Sequence, residues 1–287
     1  MLTISIALCI FNGEIFLREQ LLSIQKQNLL PDELVICDDA STDCSLQIAK
    51  EFAKIAPFKV VVISNSNNIG YVKNFERAIS FCKKDIVFMC DQDDIWAPSK
   101  LITVMTIFNA EPSVGLILHD FSLIDSNNRL LPEPTDTYGI NCLSVVELPK
   151  EIKENSIFIF MDPYPRAWCG NMMAFRNSYC DILLPIFPGK GHDDWILKVL
   201  GPITNVRFVS NKLIQYRMHS TNTNRRDLDK KTFFYLLKRF IKKLLLVMKG
   251  YTKRGFYLEI LRRVKDSKYP IIYPKLISRY RIWTSRF

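Results

Sequence analysis

At 287 residues, with 48% hydrophobic and 24% charged side chains, the chain carries enough apolar material for a sizeable core, which excludes a disordered protein. Its net charge of +10 is unevenly placed: residues 225–287 hold 19 Lys+Arg against 4 Asp+Glu, and residues 1–224 hold 20 against 25. An acidic body does not attract nucleic acid, whereas a basic tail suits a polyanionic surface such as an anionic membrane.

In chain order, short β-branched runs alternate with helical patterns. Ile4 to Ile10 reads as a buried strand, and Glu14 to Gln27 as a helix with Ile15, Leu17, Leu21, Leu22 and Ile24 at near-helical spacing. Glu33 to Cys37 is a second strand, Ser45 to Ile55 a helix, Lys59 to Ile63 a third strand, and Tyr71 to Cys82 a helix. Asp85 to Cys90 follows as a strand, Pro98 opens a helix to Asn109, and Val114 to Ile124 is a fifth strand. Residues 130–165 read as irregular loop, and short strands and helices resume from Trp168 to Met218. The alternation predicts an α/β fold with a mostly parallel sheet, whose ligands bind at the carboxyl ends of the strands.

Eight cysteines without a C-x-x-C pair predict a reducing compartment, with neither a disulfide framework nor a zinc site. The first residues lack a basic segment and run straight into strand-like sequence, which is unlike a signal peptide. No uncharged apolar stretch approaches the 18 or so residues a span requires.

Two strand ends carry clustered carboxylates, Asp38-Asp39-Ala40-Ser41-Thr42-Asp43 and Asp91-Gln92-Asp93-Asp94. Packing acids so densely costs several kcal/mol, on the order expected for buried like charges, unless a cation neutralises them. Mg²⁺ or Mn²⁺ bound by such oxygens bridges substrate phosphates. The competing readings are an acidic turn closing a strand and, for Asp38 to Asp43, a helix N-cap. Two such clusters at ends of parallel strands favour a nucleotide site. His119, within an apolar run, reads as a core histidine with its ring satisfied.

With Ser5-Ile6-Ala7-Leu8-Cys9-Ile10-Phe11-Asn12-Gly13 and Asn68-Ile69-Gly70 added in order to those clusters and Ile95-Trp96, the sequence resembles family-2 glycosyltransferases of the GT-A fold over residues 3 to about 222. It is most similar to bacterial members that build O-antigen and other surface polysaccharides, including rhamnosyltransferases. The resemblance implies that Asp39 hydrogen-bonds the nucleotide base, Asp91 contacts the ribose and Asp93 ligates the metal. Phe11 stands where the family often has tyrosine, so stacking on the base survives without a hydroxyl. His192-Asp193-Asp194-Trp195 resembles the family's acidic motif, with Asp193 as general base and Asp194 as the alternative. From residue type alone, this segment is as readily the N-cap of a helix from Trp195 to Leu200. Tyr216-Arg217-Met218-His219 resembles a late basic element, with His219 on the metal and Arg217 on the leaving phosphate. Trp168 falls where the acceptor pocket is bordered.

The expected activity is inverting transfer of a sugar, rhamnose or another hexose, from a UDP- or dTDP-sugar to a growing, lipid-linked surface polysaccharide in the cytoplasm. Residues 1–224 form the catalytic domain in this reading, and residues 225–287 a basic amphipathic helical tail. Apolar residues at 233, 236, 237, 240, 241, 244, 245 and 248 share one helix face, opposite Lys238, Arg239, Lys242, Lys243 and Lys249. Such a helix either lies at the inner membrane surface as a peripheral contact or packs on the domain. The alternatives are a sugar-phosphate nucleotidyltransferase, which lacks its glycine-rich loop here, and a non-catalytic polyanion-binding protein.

Overall fold

A computed structural model describes residues 1–132, 169–189, 191–219 and 253–270. The elements in order are β1 (Ile4–Ile10), α1 (Glu14–Gln25), β2 (Glu33–Asp38), α2 (Ser45–Ile55), β3 (Lys59–Ser64), α3 (Tyr71–Phe81), β4 (Ile86–Cys90), β5 (Ile95–Trp96), α4 (Lys100–Ala110) and β6 (Val114–Ile124). After the short turn Gly170–Met172 come β7 (Met173–Arg176), α5 (Cys180–Leu183), α6 (His192–Leu200), β8 (Asn205–Arg217) and α7 (Lys253–Asp266). Predicted elements of the first half agree with these bounds to within about two residues.

Eight strands form one sheet in the order β3-β2-β1-β4-β7-β6-β8-β5. The β3-β2-β1-β4 half is wholly parallel. β1, β2 and β4 are buried at every position, which is why they read as continuous apolar runs rather than as alternation. The other half is mixed. β7 lies antiparallel between β4 and β6, so the sheet departs there from a simple βαβ succession. The GT-A architecture expected from the resemblance is the one observed.

Two features place the site. The parallel half brings the carboxyl ends of β1, β2 and β4 side by side: Ile10 pairs with Asp38, and Leu8 with Cys90. On the far side, β5 pairs with Gln215 and Ile214 of β8. That pairing ties the segment just after Asp94 to the segment just before His219.

α7 packs its Ile260 and Val264, which are 0% and 1% exposed, into the core. Arg263 donates to the carbonyl of Ile182 at 2.9 Å and stands 5.0 Å from the Trp195 ring centre. The 253–266 part of the tail is therefore a docked helix. The predicted stripe at 233–248, the boundary near 224 and Trp168 lie outside the described residues. Among the described residues six cysteines are free thiols. Cys169 is disulfide-bonded, a departure from the thiols expected throughout.

Candidate active site at the strand tips

The β1, β2 and β4 tips are laced together before they reach any ligand. The Gln92 carboxamide accepts from the Phe11 backbone N–H at 2.7 Å and donates to the Phe11 carbonyl at 3.1 Å, much as a neighbouring strand would. Gly13 leaves room for this pairing, since a Cβ there would sit 2.3 Å from the Gln92 Cδ and push the carboxamide aside. Asn12 accepts from the Thr42 N–H at 2.8 Å, and the Gly13 N–H donates to Ser45 Oγ at 2.8 Å. Gln92 falls inside the acidic motif after β4, but its residue type does not announce a contact with Phe11, 81 positions away.

The paired acids after β2 divide their roles. Asp38 is fully buried and closes its own turn, accepting from the Ser41 N–H at 3.3 Å and from Ser64 Oγ at 3.0 Å. Asp39 faces the cavity described below. Its Oδ1 accepts from the Ile69 N–H at 2.8 Å and Asn65 Nδ2 at 2.9 Å, and its Oδ2 from the Gly70 N–H at 2.9 Å. Gly70 has φ +85°, a backbone conformation that L side chains resist, and it caps α3. Asp39 thus holds the Asn68-Ile69-Gly70 loop and keeps acceptor capacity at Oδ2.

The carboxylate loop after β4 divides likewise. Asp93 Oδ2 lies 2.8 Å from His219 Nε2. Asp94 turns inward, accepting from the Arg217 backbone N–H at 3.1 Å and from the Asn171 carboxamide. Burial, with Asp93 adding repulsion, pushes the Asp94 carboxyl up to about 7. Asp91 is raised well above its ordinary value by burial first, then by Asp94, Asp93 and Asp193. The charge of Asp193, from a segment about 100 residues away, is therefore felt at Asp91. Lys100 lies beneath the loop, fully buried, its ammonium 3.7 Å from the Trp96 ring centre and 2.8 Å from the Asn171 carbonyl. Burial lowers Lys100 to about 7, with Asp94 and Asp91 opposing that shift. Sequence reasoning missed Lys100 too, although it falls one helical turn before buried Val104.

Asp193 and Asp194 stand in the first turn of α6, where the helix dipole favours negative charge. The helix begins at His192, three residues before the predicted start, and Gly191 takes the N-cap place. Asp193 faces the cavity. Asp194 points elsewhere, onto Lys198 at 2.7 Å.

The cavity has a volume of about 390 Å³ and is lined by Phe11, Asp39, Asp91, Asp93, Asp193 and His219 among others. Of the eight predicted site residues, those six come together there. Arg217 and Asp194 do not. The Arg217 guanidinium is 1% exposed beneath the carboxylate loop, paired with Glu19 at 2.6 Å and donating from Nε to the Asp93 carbonyl at 2.8 Å. It braces the loop from behind, with the Phe16 ring 4.6 Å away. This geometry does not offer it to a leaving phosphate. His119 also differs from expectation: Nδ1 contacts the Asp120 carbonyl at 2.8 Å, but Nε2 is buried without a partner.

Among the described residues, no three His, Cys, Asp or Glu side chains converge as a ready metal cage. Asp93 and His219 fit a metal that takes its remaining ligands from a substrate. In the structure the two are joined by a direct hydrogen bond of 2.8 Å, and a carboxylate beside an imidazole is a donor set that a divalent ion would accept.

Residues 5–177, more than half of the chain, match the family described as Glycosyl transferase family 2. The chain belongs to glycosyl transferase family 2. An uncharacterized glycosyltransferase of Nostoc sp., alr2836, is 26% identical over 77% of this chain and 66% of its own length. The dTDP-rhamnosyl transferase RfbG of Shigella flexneri is 37% identical over 32% of this chain and 33% of its own. The putative glycosyltransferase EpsE of Bacillus subtilis is 34% identical over 34% and 35%. The chain thus spans between a third and 66% of these relatives. Among solved structures, S. aureus TarS 1–349 in complex with UDP-GlcNAc superposes with a TM-score of 0.61 at 16% identity, over 97% of this chain and 71% of that one. This likeness supports the GT-A fold of the family-2 chain. No helix among the described residues is long and apolar enough to cross a membrane.

Proposed function

We propose that this family-2 glycosyltransferase transfers a hexose, with inversion, from a UDP- or dTDP-sugar to a glycan acceptor. The observation that carries the reading is the convergence of Asp39, Asp91, Asp93 and Asp193, from three separate stretches of chain, on one cavity. Asp39 takes the base through its remaining acceptor capacity, Phe11 stacks on it, and Asp91 accepts from the ribose. Asp93 and His219 would hold a Mn²⁺ or Mg²⁺ ion, which when bound would supply positive charge to the donor diphosphate.

Asp193 removes the proton of the attacking acceptor hydroxyl. The acceptor oxygen bonds to the anomeric carbon from the face opposite the departing nucleoside diphosphate. Proton transfer of this kind contributes about 10² to 10⁴ in rate. The RfbG name makes a dTDP-rhamnose donor the first to try, and a lipid-linked surface polysaccharide is the proposed acceptor. Residues 233–249 would keep the enzyme at the cytoplasmic membrane face.

The test combines a screen of UDP- and dTDP-sugars with analysis of the product's anomeric configuration by NMR. Transfer with an inverted anomer supports the reading. A retained anomer contradicts the role of Asp193, and the absence of transfer from every nucleotide-sugar contradicts the activity.

A further inference from the structure

His192 has a chemistry that the roles above leave unused. His192 lines the cavity yet is only 6% exposed, and its Nδ1 and Nε2 are both buried without a hydrogen-bond partner. The ring stacks on Phe75 with centroids 4.1 Å apart and meets Tyr71 edge-on at 5.9 Å. Gly170 makes room for it, since a Cβ at that position would lie 2.2 Å from Nε2. The ring is walled by Phe75, Tyr71 and Gly170, surroundings in which an apolar side chain would strand no polar atom. Buried donors and acceptors left unmet destabilise a fold.

The nature of the missing partner follows from the ring's charge state. Burial lowers the imidazole pKa, with Asp193 opposing the shift, so the neutral ring predominates near pH 7. A neutral imidazole offers one N–H donor and one lone pair. A diphosphate only accepts, and would leave the imidazole lone pair unmet. An alcohol both gives and takes. The residue next in sequence is Asp193, which faces the same cavity.

We propose that His192 hydrogen-bonds a sugar hydroxyl beside Asp193 and so helps select which sugar the enzyme accepts. The inference rests on the glycosyltransferase reading and extends it. The hydroxyl belongs either to the sugar being transferred or to the acceptor, and the two are separable.

The test uses the full chain as wild type, His192→Phe and His192→Gln. Binding of UDP, dTDP and their glucose, N-acetylglucosamine and rhamnose conjugates is measured by calorimetry, and turnover is measured on a panel of p-nitrophenyl glycosides. UDP or dTDP affinity within about twofold of wild type shows that the nucleotide site is intact. For a donor hydroxyl, His192→Phe loses about tenfold of the affinity advantage of the nucleotide-sugar over its nucleotide, and His192→Gln recovers part of it. For an acceptor hydroxyl, glycoside KM rises about tenfold in His192→Phe while nucleotide-sugar affinity holds. Unchanged parameters in both variants overturn the proposal, as does an equal loss of affinity for the bare nucleotide. A wild-type chain that binds no nucleotide would instead sink the activity itself, and this proposal with it.

Discussion

Asp193 and Asp194 share the first turn of α6 and face different surroundings, the cavity in one case and Lys198 in the other. Asp193→Asn is expected to lower turnover by about 10² to 10⁴ with nucleotide affinity kept. Asp194→Asn removes only a partly exposed ion pair, worth about 1 kcal/mol or less, and should keep at least half of the turnover. Steady-state assays of the two variants decide the register, and equal losses would refute it. His119 makes a separate prediction about pH. Burial, with Lys100 adding to it, holds His119 well below its ordinary value of 6.5. The unfolded chain therefore binds a proton at His119 that the folded chain refuses, and His119 costs stability progressively as pH falls below about 6.5. Replacing it with phenylalanine removes that dependence. Melts of wild type and His119→Phe between pH 7.5 and 5 should diverge toward acid, with the variant favoured. A constant difference would show that His119 protonates freely in the fold.

At the scale of elements, α6 is held by its back. Trp195 is fully buried, donates to the Leu183 carbonyl at 2.7 Å and stacks on Phe187, while Arg263 of α7 covers its ring. The docked tail helix thus braces the turn that carries Asp193. Ile260→Ala is expected to cost about 2–5 kcal/mol as a core truncation, and to lower kcat more than it weakens nucleotide binding. Denaturation and kinetics together test this. A stability loss with kcat untouched would show α7 to be a passive cover. The elements were legible where one period dominated, as in β1, β2 and β4 with their unbroken apolar runs. β7 was not, because Met173–Arg176 is too short for periodicity to declare and its reversed direction is set by partners on both sides. Arg217 misled for a related reason. Its residue type suits a phosphate, but Glu19, 198 positions away, takes the guanidinium, and no local pattern announces so distant a pair. Lys100 was legible in principle, since it continues the buried stripe of Leu101, Val104, Met105 and Phe108.

For the whole molecule, two halves of one sheet do different jobs. The parallel half sets the β1, β2 and β4 tips side by side. The mixed half returns His219 to the loop after β4 through the β5–β8 pairing. Both carboxylate clusters and Asp193 could be read from sequence because the site's chemistry is concentrated in short motifs. The braces behind them, Gln92, Lys100 and Glu19, act through contacts that only the assembled sheet creates. In the proposed reaction Asp93 would share a cation with a nucleotide diphosphate. Calorimetric titration of UDP and dTDP with Mn²⁺ or with a chelator, in wild type and Asp93→Ala, tests it most directly. Mn²⁺ is expected to tighten binding of one of these nucleotides at least about tenfold, the scale of a metal-bridged phosphate contact, and Asp93→Ala to abolish the gain. Equal affinity with chelator, or an undiminished Mn²⁺ effect in the variant, would contradict it.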